Sequence, residues 1–102
     1  MVGNDGLGNP QFGWSVSISE DGGKIVIGGP SDAGGVGASW IFLRNSSNLY
    51  NQLGSKLVGS NYSGLPSQGF SVGTDFNGTL AIIGGLNNSY DIGAAWVFEI
   101  IT

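Results

Sequence analysis

The groups able to do chemistry in this chain are few: seven carboxylates, sixteen Ser and Thr hydroxyls, three tyrosines and three basic side chains. There is no Cys and no His. That removes disulfides, thiol nucleophiles, Ser-His-Asp and Cys-His catalysis and nearly every transition-metal site. A hydrolase built on two carboxylates is the chemistry left. The nearest pair, Glu20 and Asp21, is adjacent in a turn, and such neighbours do not converge on one substrate. Asp5, Asp32, Asp75, Asp91 and Glu99 fall into no spaced motif. No catalytic residue and no enzyme activity are expected. Nor is Gly34-Gly35-Val36-Gly37 a phosphate cradle, because a strand pattern follows it where an anion site needs a helix N-terminus. With a net charge of −4 and only Lys24, Arg44 and Lys56 as cations, nucleic acid and anionic membranes are not expected partners.

Three further sets of residues bear on recognition. Tyr50, Tyr62 and Tyr90 stand in or beside polar stretches, where they would stack on sugar rings or anchor their loops; the anchor role is expected. Four N-x-S/T sequons begin at Asn45, Asn61, Asn77 and Asn87, an excess over chance pairing that marks possible N-glycosylation. Trp14, Trp40 and Trp96 fall within strand patterns and are assigned to packing.

What must position these residues is a β architecture. Gly occupies 20 of 102 positions and charged residues only 10%, which resembles a linker. Yet Leu, Ile, Val and Phe fill 29 positions, too many for a disordered chain. No apolar run is long enough for a membrane helix, and there is no collagen period. Shifted by 56 residues, the chain lies on itself without a gap. Val2 to Leu43 then gives 15 identities in 42 pairs, including Pro10/Pro66, Trp40/Trp96 and Phe42/Phe98. Shared glycine richness alone would not align Pro, Trp and Phe.

Each copy reads as short strands separated by turns. Trp14–Ser19 alternates apolar and hydroxyl residues, Glu20–Gly23 is a tight turn, Lys24–Gly28 is a β-branched run covered on both faces, and Gly29–Gly35 is loop. Gly37–Leu43 forms a third strand and a weaker fourth lies between Leu49 and Val58. The second copy repeats the order over Phe70–Asp75, Thr79–Gly84 and Ile92–Ile100. The fold class is therefore all-β. Four antiparallel strands that recur and must cover each other's faces describe β-propeller blades. A single β-sandwich fits the strand count but gives no reason for two copies at a fixed spacing. The expected organisation is a preceding-blade end or linker at 1–7, one blade at 8–63 and a second, incomplete blade at 64–102.

Phe12-Gly13 with Ser15-Val16, then Ile27-Gly28-Gly29-Pro30, then Gly37-Ala38 before an aromatic strand, resembles the FG-GAP repeat of integrin alpha-type propellers. In the second copy Phe-Gly becomes Gln68-Gly69 and the Pro becomes Leu86. The resemblance implies noncatalytic recognition or adhesion at a cell surface or outside the cell, with a protein or glycan ligand, or else a structural scaffold for an enzymatic or anchor domain elsewhere. The family often carries a calcium loop after the first strand. Here Ser19, Glu20, Asp21 and Gly22, and later Asp75, Asn77 and Gly78, supply too few oxygens, and Thr79-Leu80-Ala81 replaces the closing acid. No metal and no cofactor are expected.

The register also predicts that the second blade lacks its fourth strand, leaving an open edge near Ala95–Ile100 and bare apolar faces at both ends of the pair. The expected partners are other blades. They come from a longer propeller chain or, if this chain acts alone, from a ring of three or four copies.

Overall fold

The computed structural model describes residues 1–86 and 92–102. The first repeat contains β1 (Ser15–Ile18), β2 (Lys24–Gly29), β3 (Ala38–Arg44) and β4 (Tyr50–Gln52); the second contains β5 (Ser71–Thr74), β6 (Leu80–Gly85) and β7 (Ala94–Glu99). They form two antiparallel sheets, ordered β1-β2-β3-β4 and β5-β6-β7. The fold is all-β, as the periodicity requires, and no α-helix occurs among the described residues.

The repeat holds down to individual backbone pairs. Val16 opposes Ile27 and Ile27 opposes Trp40, while 56 residues on Val72 opposes Ile83 and Ile83 opposes Trp96. A one-residue slip would turn every side chain to the other face, so this match fixes which residues share a face in both sheets. One face of the first sheet carries Val16, Ile18, Ile25, Ile27, Trp40 and Phe42; the other carries Val26 and Ile41. In the second sheet the corresponding faces carry Val72, Ala81, Ile83, Trp96 and Phe98, and Ile82 and Val97.

The two sheets stack. Val26 and Ile41 of the first are buried with Ala81, Ile83 and Ile100, and Leu53, Leu57, Val72 and Phe98 pack around them. A second cluster lies on the opposite face of the first sheet: Ile27, Ala38, Trp40 and Phe42, flanked by Phe12, Ile25 and Tyr50. β2 is therefore covered on both sides, which is why it is a continuous β-branched run with no polar alternation. Side-chain burial on this scale, at about 25 cal/mol per Å² of apolar surface, is the main force holding the sheets together.

The fourth strand falls within the stretch from Leu49 to Val58, as expected, while two other local expectations need correction. After Gln52 the Leu53 amide still donates to the Ile41 carbonyl (2.7 Å), but Gly54 at φ 67° turns the chain away, and Leu57 returns only as a single bridge to Ser39. Within Gly29–Gly35, Asp32–Gly35 forms a short 3-10 turn. Trp14 packs only in part: it is 53% exposed ahead of β1, its amide bonded to the Gln11 carbonyl in a turn. Its ring meets that of Phe70, its counterpart in the second repeat, with centroids 5.5 Å apart.

Candidate functional site

The most constrained place in the molecule is the junction where the second repeat enters across the ends of β2 and β3. The Ser67 and Gln68 amides donate to the Gly35 and Val36 carbonyls (2.8 and 2.9 Å), and the Ser15 hydroxyl donates to the Gly69 carbonyl (2.7 Å). Gly28 must be glycine here, because a Cβ would run into the Gly69 carbonyl. Gly37 is held at φ 81° with the Gln68 backbone against it, a conformation and a closeness that only glycine accepts.

A second set of contacts clasps the segment before each repeat to the tryptophan of its third strand. In the first repeat Gly3 lies against the Trp40 indole, and Trp40 Nε1 donates to Asp5 Oδ1 (2.8 Å). Asp5 also accepts from Gln52 Nε2 (3.1 Å) and the Lys56 amide (2.8 Å). Partial burial works against its ionisation, but these hydrogen bonds outweigh that and hold the carboxyl below its ordinary value. In the second repeat Gly59 lies against the Trp96 indole, whose Nε1 donates to the Ser60 carbonyl (2.8 Å).

The replacement of Phe12 by Gln68 has a physical meaning. Phe12 packs edge-on against Trp40 (5.3 Å) and Phe42 (6.0 Å). Gln68 is fully buried and joins instead to the segment before its repeat by hydrogen bonds, accepting from the Gly59 amide (2.6 Å) and donating to the Gly59 carbonyl (3.0 Å).

Sequence reasoning did not single out Asp5 or Gln68, nor the ion pair between Lys56 Nζ and the buried Asp32 Oδ2 at 2.6 Å. Asp32 also accepts from the Leu7 amide (2.7 Å), so one carboxylate ties three segments together. No local pattern foretells these contacts, since the partners stand 9 to 51 residues apart.

The acidic turns are occupied by their own backbone. Asp21 Oδ1 accepts from the Gly23 amide (2.8 Å) and the Ser19 hydroxyl (2.9 Å), and these bonds, chiefly the first, hold its pKa down. Asp75 accepts from the Thr79 hydroxyl and from the Leu80 and Thr79 amides, which lowers its pKa likewise. Both residues are turn formers, Asp21 directly before Gly22 and Asp75 three residues before Gly78. Tyr50 is a loop anchor, donating its hydroxyl to the Gly22 carbonyl (2.6 Å), whereas Tyr62 is 38% exposed. Asn45, Asn61 and Asn77 are all exposed in loops; Asn87, Tyr90 and Asp91 lie outside the described residues. Among the described residues no helix is long and apolar enough to cross a membrane.

The chain is an all-β protein of two repeated antiparallel sheets, stacked face to face and joined across strand ends, an arrangement consistent with neighbouring β-propeller blades; the two sheets here do not close a ring. Comparison with known families is specific on the first of them: residues 1–42 match the model of the FG-GAP repeat. No curated protein and no solved structure matched the chain.

Proposed function

We propose that this chain is a noncatalytic propeller segment serving extracellular recognition or adhesion, with a protein or glycan bound at the loops that end its blades. The observation that carries this reading is the FG-GAP match over residues 1–42, set on a fold whose second repeat reproduces the register of the first. Two features support it. Three of the sequons, at Asn45, Asn61 and Asn77, stand exposed in loops, as N-glycan acceptors must. The carboxylates of Asp21 and Asp75 are committed to their own turns, which leaves neither poised for acid–base work.

A structural-scaffold reading has its own support in Tyr50, whose hydroxyl is bound to Gly22 and so is committed to holding the loop. The two readings separate in one experiment. The chain is secreted from eukaryotic cells, checked for glycans by enzymatic deglycosylation, and screened against purified extracellular proteins and a glycan array. Saturable binding that is lost on substituting exposed loop residues, with the fold intact, supports recognition. A folded protein that binds nothing across the panel supports the scaffold.

A further inference from the structure

We propose that the outer face of the second blade is a docking surface for the first blade of another copy of this chain, so that copies join head to tail. The inference rests on the propeller-segment reading and deepens it by naming the partner.

Within one chain the rule of stacking is visible. Val26 and Ile41 form the receiving face and are 0% and 4% exposed; Val72, Ala81, Ile83 and Phe98 of the next blade close over them. Advancing the receiving face by one repeat gives Ile82 and Val97, which are 52% and 63% exposed. Moving the covering face back by one repeat gives Val16, Ile25, Ile27 and Phe42. Of these Val16 is 65% exposed, and it lines an open apolar hollow of about 390 Å³ with Met1, Ser17, Ile18, Ile25 and Ile27. The receiving half of an interface that already exists inside the molecule is thus uncovered again, and of the face that would cover it Val16 and the neighbouring Ile18 (56% exposed) stand open while Ile27 and Phe42 are already buried within the chain.

The polar part of the junction is equally divided. Ser15 donates to the Gly69 carbonyl. The counterpart of Ser15 is the exposed Ser71, and the counterpart of Gly69 is Gly13, which shares its positive φ and has open space where a Cβ would stand. An incoming copy brings the Gly13 carbonyl to the Ser71 hydroxyl, which sets the register. The edge of β7 is served as well. In the first repeat Leu57 pairs with Ser39; two repeat periods place Met1 of the incoming copy against Ala95 in the same way. Because the two halves are different surfaces, the contact is heterologous, and repetition gives a ring or an open array according to the rotation between copies.

The test uses the 102-residue chain in sedimentation and light scattering over a broad concentration range, with Val16→Glu and Val97→Glu, each at an exposed position and each disabling one half. The expected result is that the wild type gains mass in whole multiples of the chain while each variant alone remains a monomer. A mixture of the two forms a heterodimer and nothing larger, since only one complementary pair of faces survives. If either glutamate variant fails to fold, Ile18→Lys and Ile82→Lys replace it. A cooperatively melting wild-type monomer at every concentration overturns the proposal, as do single variants that associate as the wild type does. Head-to-tail joining without any extracellular ligand refutes the recognition reading alone; ligand binding by a monomer refutes the docking proposal alone.

Discussion

The two repeats differ more in their surroundings than in their sequence. Val26 and Ile82 are both β-branched, both central in a second strand and identically paired, yet one is fully buried and the other half exposed. Gly28 and Gly84 are identical, but the first is pressed against the Gly69 carbonyl while the second would meet only the side chain and carbonyl of its own partner, Ser71. The lesson is that a blade's residues acquire their energetic role from the neighbour that stacks on them. The repeat itself is only half of each interface.

The largest effect should come from putting a methyl group into the junction. Gly28→Ala forces apart two backbones and is expected to cost more than about 4 kcal/mol, whereas Gly84→Ala displaces only the exposed Ser71 hydroxyl and should cost within about 1 kcal/mol. Urea unfolding of the two variants checks this. Equal losses would mean that the junction is not what makes Gly28 necessary.

Next comes the apolar stack. Ile41→Ala opens a cavity between the sheets and should cost about 3 kcal/mol, while Val97→Ala, at the equivalent but open position, should stay within about 0.5 kcal/mol in the monomer. Matching values from denaturant melts at low protein concentration would break the comparison.

Acid should separate the two tryptophan clasps by a smaller margin. The Asp5 carboxyl is held below its ordinary value, so the stability it contributes is present above its unfolded pKa of about 3.9 and is lost as pH falls through the lower folded value. Trp96 donates to a backbone carbonyl, which does not titrate. In NMR the Trp40 indole N–H should shift through this window and the Trp96 N–H should not. Asp5→Asn should remove the Trp40 titration.

A gain, not a loss, is expected at Ser39. Its hydroxyl is buried with no hydrogen-bond partner among the described residues, and the second repeat carries Ala95 at this position. Ser39→Ala should stabilise by about 1 kcal/mol, measured as a rise in urea midpoint. Calcium is expected to do least. With Asp21 and Asp75 engaged by their own turns, adding or chelating it should leave the melting temperature unchanged. An ion bound at a hundredfold excess over its Kd would add about 2.7 kcal/mol and be plain in the same scan.

The sequence by itself determined the local structure. Alternation in Trp14–Ser19, the β-branched run at Lys24–Gly28 and glycine at the turns specify strands and hairpins through near-neighbour sterics, and the spacing of 56 residues carries that specification to the second copy. Only the tertiary structure decided which of two equivalent faces is buried, that Gln68 replaces a phenylalanine by bonding to Gly59, and that Asp5, Asp32 and Lys56 hold the leading segment in place. The physical reason is range. Strand period and turn chemistry act over a few residues and can be read along the chain, whereas burial and these hydrogen bonds depend on segments brought together across dozens of residues by the stacking of one sheet on another.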